Sequence, residues 1–219
     1  MTPIKKAARR GWQKAAPFLD WKSLSIESPL LAALPASARR LTRILELPRQ
    51  AAVFDQGDCP KAMFFVLSGE VRLMRQSSSG GEIVLQRTWR GFLAEASFDQ
   101  QVYHCDAVAA ATSSILAIPR KAFRDALMAG DFRDRWIAHL ALELRRVRAQ
   151  AERLSLRTAR ERIVHFVETE GKSGAIDLKQ SKKDWAAELG LTHEALYRAL
   201  AQMKARGELM VEHSRLTLR

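Results

Sequence analysis

The stretch that decides the fold runs from Ser181 to Met210 and reads SKKDWAAELGLTHEALYRALAQMKARGELM. Its first part carries apolar residues three and four positions apart, at Trp185, Ala186 and Leu189, which is typical of one face of a helix. Gly190 follows at the position where a left-handed residue commonly ends a helix. The stretch therefore predicts a short helix that stops in a tight turn.

A second helix is predicted directly after this turn. Ser181 and Thr192 stand where N-cap residues are preferred, and Asp184 occupies the capping-box position of the first helix. The second helix would bury Leu196, Leu200 and Met203. Its opposite face would carry His193, Glu194, Tyr197, Arg198 and Gln202. Two amphipathic helices joined by a glycine-containing turn are typical of a helix-turn-helix, which presents the start of its second helix to base edges.

Composition limits the class of protein. With 219 residues, of which 47% are hydrophobic, the chain can form one large or two small domains. No apolar run approaches the roughly 18 residues of a membrane span, and no secretory signal is visible, so we expect a cytoplasmic protein that does not bind a membrane. Cys59 and Cys105 are too few for a disulfide framework or a four-thiolate metal site.

The net charge of +12 is unevenly distributed. Residues 1–50 carry a net +7, residues 51–130 are neutral, and residues 131–219 carry +5. A neutral middle between basic ends predicts that the ends meet a polyanion. Net charge alone fits DNA, RNA or an anionic membrane.

The N-terminal part of the chain is predicted to be a basic arm over residues 1–27. Its lysines and arginines alternate with Ala, Trp and Phe, so it could contact DNA phosphates or a membrane surface. The alternative is a leader whose aromatic residues pack on the next domain. Residues 28–47 then predict short helices with an apolar stripe of Leu41, Ile44 and Leu45.

From about Arg49 the pattern changes to short β-type segments separated by glycine turns. The turns include Gly57-Asp58, Ser68-Gly69, Ser79-Gly80-Gly81 and Arg90-Gly91. The predicted strands are Ala51–Phe54, Met63–Leu67, Glu70–Met74, Glu82–Thr88, Ala107–Ala111 and Ser114–Ile118. Regular short strands with such turns predict an all-β roll or sandwich.

The run from Val53 to Met74, VFDQGDCPKAMFFVLSGEVRLM, resembles the cyclic-nucleotide-binding β-roll. Followed by a helix-turn-helix, it is similar to the superfamily of the cAMP receptor protein and the fumarate-nitrate reduction regulator (CRP/FNR), over roughly residues 30–219. The resemblance implies an α+β chain. Its parts would be a β-roll sensor over 28–130, a dimerisation helix over 131–157 and a winged helix-turn-helix over 158–219, with a hinge at Arg157–Thr158.

The long helix would pair with that of a second copy. No Gly or Pro interrupts residues 131–156, and apolar residues recur three and four apart, which is typical of a paired helix. They are Trp136, Ile137, Leu140, Leu144, Val147, Ala151 and Leu154. The alternative is packing of this face within its own domain. After Gly207, residues 209–218 alternate around His213-Ser214 and predict a β-hairpin wing.

The resemblance also assigns the contacts to double-stranded DNA. The family pattern Ser-Arg-Glu-Thr-Val-x-Arg aligns with Thr192 to Arg198, so Glu194 and Arg198 match the two main base-reading positions. His193 stands where relatives have Arg, and Tyr197 and Gln202 lie on the same face. Lys182, Lys183 and Thr192 are the expected phosphate contacts. The alternative for Glu194 and Arg198 is an ordinary surface ion pair.

The effector pocket departs from the family pattern. Glu95 matches the glutamate that binds the ribose hydroxyl in cAMP-binding relatives and precedes Ala96, but Ala94 stands where glycine is expected. His104 and Cys105 take the positions of the arginine and the small hydroxyl residue. On the long helix, Val147-Arg148 replaces a Thr-Ser pair that contacts adenine.

The effector is therefore expected to be something other than cAMP, or absent, because a buried cyclic phosphate needs a guanidinium partner. One alternative is a cAMP-responsive regulator with an atypical cassette. Another is a haem or thiol redox sensor that uses His104, Cys105 or Cys59. The cofactor stays unknown, no metal site is predicted, and RNA polymerase is a partner that the resemblance implies.

Two other classes of function fit the sequence less well. A metal-dependent enzyme of the jelly-roll type needs clustered ligands, and the five histidines at 104, 139, 165, 193 and 213 are scattered, so no catalytic residues are assigned. An RNA- or membrane-binding module would rest on the basic ends alone. The sequence favours a dimeric regulator of transcription.

Overall fold

A computed structural model describes residues 19–78 and 80–219. The chain divides into two compact units after Ile137, inside its longest helix. Residues 1–18 of the predicted basic arm and Ser79 of a predicted turn lie outside the described residues. Among those described, no helix is both long and apolar enough to cross a membrane.

The first unit begins with three short helices, α1 (Trp21–Glu27), α2 (Pro29–Ala32) and α3 (Ala36–Leu41). Asp20 caps α1, and its carboxylate accepts from the backbone N–H groups of Lys22 and Ser23. Ser28 caps α2 through the N–H of Leu31. The predicted helices at 28–41 are thus present, and residues 21–27 of the predicted arm are helical as well.

The prediction of helix over 43–47 is wrong. Arg43–Leu47 is strand β1, which pairs with β8 (Ser113–Pro119). Leu45 and Leu47 alternate into the core, whereas Leu41, assigned to the same helical stripe, is 55% exposed. Partner strands far away in sequence override a weak local helical period here.

Two four-stranded antiparallel sheets build the roll, in the orders β1-β8-β3-β6 and β2-β7-β4-β5. The six predicted strands are all present, and β1 and β6 are added. The remaining strands are β2 (Ala52–Phe54), β3 (Ala62–Ser68), β4 (Val71–Gln76), β5 (Glu82–Thr88), β6 (Gly91–Leu93) and β7 (Asp106–Ala109). Strand β6 has three residues and is too short to produce a readable alternation.

The two sheets enclose one core, to which both contribute side chains such as Leu45, Phe64, Val71 and Ala107. A second core lies under the helices and joins the outer face of the first sheet to α4 (Arg120–Ala126) and the start of α5 (Gly130–Ser155). Phe123 packs edge-on against Phe92 and Trp136 there. Burial of these aromatic rings fixes the beginning of α5 on the roll. The prediction of Trp136 for the paired face of the long helix is therefore wrong, because this side chain is buried in the core of its own unit.

The second unit contains the rest of α5, followed by helices and a small sheet. The elements are α6 (Ala159–Glu170), β9 (Ala175–Asp177), α7 (Lys182–Glu188), α8 (His193–Ala205), β10 (Leu209–Glu212) and β11 (Arg215–Leu218). The sheet has the order β10-β11-β9. The predicted hairpin at 209–218 is confirmed, with its turn at His213 and Ser214. Trp185 is fully buried in the core that joins α6, α7 and α8.

Candidate functional site

Helices α7 and α8 are joined by a turn whose geometry is encoded by caps and one glycine. The hydroxyl of Ser181 accepts from the N–H of Asp184, and that of Thr192 accepts from the N–H of Ala195. Gly190 has φ of 63°, and the N–H of the residue after it donates to the carbonyl of Ala186 across the helix end. This arrangement is a Schellman motif. It needs a left-handed residue at the position of Gly190, and glycine adopts that conformation readily because it has no Cβ.

The inner face of α8 is fixed in the core of the second unit. Leu196, Leu200 and Met203 are at most 6% exposed, and they pack with Ile163 and Phe166 of α6. The burial of this face therefore fixes the orientation of helix α8 about its own axis. Its outer face is determined by the inner one.

The outer face carries all five side chains that were predicted for it. His193, Glu194, Tyr197, Arg198 and Gln202 are exposed. Among the residues that the structure describes, no ion pair or hydrogen bond engages the carboxylate of Glu194 or the guanidinium of Arg198. The ordinary surface ion pair that was the alternative for these two residues is therefore not formed, and both groups face solvent.

The predicted phosphate contacts lie at the starts of the two helices. Lys183 and Thr192 are exposed, whereas Lys182 is half-buried. The ammonium of Lys182 lies 5.5 Å from the ring centroid of Tyr197. This contact places the N-terminal end of α7, with its partial positive charge, beside the outer face of α8.

Arg162 of α6 was missed by the sequence analysis, although it holds the turn in place. Its Nη1 donates to the carbonyls of Leu189 and Gly190, each at 3.0 Å. Its Nη2 and Nε donate to the carbonyls of Leu154 and Leu156, at 3.2 and 3.0 Å. One guanidinium therefore ties the end of α5 to the turn before α8. Its carbonyl partners in the turn are 27 and 28 positions away, so no local pattern could have indicated them.

Arg162→Lys is expected to lower the free energy of unfolding by about 1–3 kcal/mol, because one ammonium cannot satisfy carbonyls on both sides of a planar fork. Urea denaturation followed by circular dichroism measures this change. Arg160→Lys is the matched control on the same helix, since Arg160 is exposed and makes an ion pair with Glu208. Equal stability of the two variants would contradict this role of Arg162.

A second arginine crosses the predicted hinge at Arg157–Thr158. Arg153 is 1% exposed, and its Nη2 donates to Thr169 and Glu170 at 3.0 and 3.1 Å. Thr158 begins α6 with a full capping box, and the hydrogen bond from its backbone N–H lowers the pKa of Glu161. The segment between α5 and α6 is therefore braced on both sides. A hinge here would have to break these contacts.

The predicted effector cassette forms a left-handed residue followed by a single 3₁₀ turn. Ala94 has φ of 63° and is buried, which explains the preference of the family pattern for glycine at this position. Glu95 and Ala96 lie in the turn, Glu95–Ser97. The Nδ1 of His104 lies 3.0 Å from the hydroxyl of the fully buried Ser97, so the imidazole is engaged within the cassette.

Tyr103 is the feature of the cassette that sequence reasoning missed. It is 4% exposed and stacks on Phe54, with ring centroids 3.5 Å apart and planes 9° apart. Burial raises the pKa of its phenol well above the usual range. The aromatic ring of Tyr103, directly before His104, thus fills part of the interior of the roll.

The cysteines differ in environment. Cys105 is fully buried, and burial raises the pKa of its thiol, which is the opposite of what an oxidisable thiolate needs. Cys59 is exposed. Within residues 19–78 and 80–219, no group of three or more His, Cys, Asp or Glu side chains is arranged to hold a metal ion. Val147 and Arg148, predicted for the same pocket, are exposed residues of the second unit.

Comparison with known proteins agrees with this architecture. The family described as cyclic nucleotide-binding domain matches residues 44–129. No curated protein sequence matches the chain significantly. FixK2 from Bradyrhizobium japonicum is similar in structure, with a TM-score of 0.64 and 22% identity over 81% of this chain and 92% of that chain.

Two further solved structures share the fold. A CRP-family transcriptional regulator from Thermus thermophilus has a TM-score of 0.56 and 19% identity over 79% of this chain and 90% of that chain. The c-di-GMP responsive global regulator CLP from Xanthomonas campestris has a TM-score of 0.56 and 18% identity over 90% of this chain and 98% of that chain. The resemblance to the CRP/FNR superfamily is thereby confirmed at the level of the fold.

Proposed function

We propose that this chain, which carries a cyclic nucleotide-binding domain on the fold of CRP/FNR regulators, is a homodimeric regulator of transcription that binds a palindromic DNA site. The helix from Thr192 to Arg206 reads the bases. One observation carries the proposal. The side chains of Glu194 and Arg198 are exposed and form no ion pair in the described part of the chain, on a helix whose other face is buried.

The chemistry of these two side chains suits base edges in the major groove. A carboxylate accepts from cytosine N4, and a guanidinium donates to O6 and N7 of guanine. Their separation of four positions places them one above the other on α8. Lys182, Lys183 and Thr192 would contact phosphates and set the register. His193 and Gln202 are exposed on the same face and complete the surface.

A palindromic site follows from a dimer, and the exposed seam of α5 supports one. Ile137, Leu140, Leu144, Val147 and Leu154 are between 39% and 60% exposed. They recur at alternating intervals of three and four residues, counting Ala151, over a length of about 26 Å. A second copy of the same helix is the partner that this heptad spacing fits. RNA polymerase is the further partner that the resemblance implies.

The proposal is tested by selecting duplexes from a random library with the purified protein at about 0.15 M salt. We expect enrichment of a two-fold symmetric sequence that stays bound where non-specific binding has faded. Enrichment of no sequence, with binding that follows salt alone, would support a basic module for nucleic acid in general and would contradict the proposal.

The regulator is proposed to respond to an effector other than cAMP, or to none. Within the cassette, the position expected for a phosphate-binding arginine holds His104, whose ring already contacts Ser97. The neighbouring Tyr103 packs into the core. Neither supplies the guanidinium fork that a buried cyclic phosphate needs.

Cyclic AMP is therefore expected to leave the affinity for the selected duplex unchanged. Fluorescence anisotropy at cAMP concentrations up to about 1 mM measures the affinity for the duplex. A cAMP dissociation constant above that concentration would correspond to a binding free energy of less than about 4 kcal/mol. Isothermal titration of the protein without DNA serves as the control for silent binding. A saturable change of DNA affinity with cAMP would favour the alternative of a cAMP-responsive regulator with an atypical cassette.

A further inference from the structure

Tyr197 is an aromatic side chain on a helix face that is otherwise polar or small. Its side chain is 46% exposed, whereas the opposite face of α8 is buried. It follows Glu194 by three positions and directly precedes Arg198, so it lies on the same outer surface. Neither the caps nor the core of the second unit uses this ring.

The ring is held in place by two neighbours. The His193 ring lies 4.5 Å from it between centroids, at an angle of 58°. The ammonium of Lys182, on the other helix, lies 5.5 Å from its centroid in a cation–π contact. A ring that is already ordered loses little conformational freedom on binding, so its apolar edge is prepared for a partner.

The partner that fits an apolar edge among base-reading side chains is the methyl group of thymine, because it is the apolar group that base pairs present in the major groove. Resting on the proposed function, we infer that Tyr197 is a specificity-determining residue whose ring contacts the 5-methyl group of one thymine in each half-site. Glu194 and Arg198 read hydrogen-bonding groups, and Tyr197 adds an apolar contact beside them.

The test replaces each thymine of the selected duplex in turn by deoxyuridine, symmetrically in both half-sites. This change removes the methyl group and keeps base pairing. At one position per half-site, the wild-type protein should lose about fourfold in affinity for each methyl group, and about 15-fold for both. Tyr197→Ala should bind the thymine and deoxyuridine duplexes equally. Tyr197→Phe, the matched control, should keep the wild-type response.

Two outcomes would overturn the inference. In the first, Tyr197→Phe loses as much affinity as Tyr197→Ala and no deoxyuridine position matters, which assigns the phenol hydroxyl to a phosphate. In the second, the response to deoxyuridine survives in Tyr197→Ala, which assigns the methyl group to another residue. Failure of the proposed function is distinguishable, because the wild-type protein would then select no sequence in the first place.

Discussion

Arg198→Ala is expected to lose most of its preference for the selected duplex over a scrambled duplex of the same length. A bidentate contact between arginine and guanine contributes about 1–3 kcal/mol of discrimination, and a dimer makes it twice. The affinity for the selected duplex should then fall by about 30-fold to 10⁴-fold. The affinity for the scrambled duplex should fall only by the contribution of one positive charge per subunit near the phosphates. Fluorescence anisotropy on both duplexes at one salt concentration measures the ratio.

The matched control for this variant is Arg206→Ala. Arg206 is exposed at the C-terminal end of the same helix, so its removal changes net charge equally without touching the proposed reading position. It should keep the preference for the selected duplex. Light scattering should give the same mass for both variants and the wild type, because Arg198 is not part of the α5 seam. An unchanged preference in Arg198→Ala would contradict the assignment of this residue as a base reader.

Leu144→Glu is expected to convert the proposed dimer into a monomer. Leu144 is 50% exposed in the middle of the α5 seam, and two glutamates would face each other there across the two-fold axis. The change removes about 2–3 kcal/mol of apolar burial per subunit and adds like-charge repulsion. The dissociation constant of the dimer should therefore rise by more than about 10³-fold. Light scattering should show a mass near 24.7 kDa instead of twice that value.

Leu142→Glu provides the matched control for the dimer. Leu142 lies on the same helix and is 44% exposed, but it is not one of the seam residues, which recur three and four positions apart. This variant should remain dimeric and keep its affinity for the selected duplex, whereas Leu144→Glu should bind a palindrome no better than a half-site. A dimer that survives Leu144→Glu would show that α5 does not pair through this face.

The helix pair could be predicted in detail because its turn is encoded locally. Ser181, Gly190 and Thr192 form their hydrogen bonds within five residues along the chain. Strand β1 could not be predicted, because Leu41, Ile44 and Leu45 also fit a helical stripe, and only the pairing with β8, about seventy positions away, decides for a strand. The same is true of Tyr103, whose stacking partner Phe54 lies on another strand.

The sequence alone determined six strands of the roll, the length of α5 and the face of α8 that points outward, because these depend on periodicities of two to four residues. The tertiary structure decided which charged side chains stay unpaired, where the aromatic rings go and what secures the turn between α7 and α8. Glu194 and Arg198 have the spacing of an ion pair, yet the described part of the folded chain forms none at either residue. Arg162 connects α5 to that turn through carbonyls that the fold alone brings within 3.2 Å of it. Long-range contacts of this kind carry no local signal, because backbone carbonyls are the same at every position of the sequence.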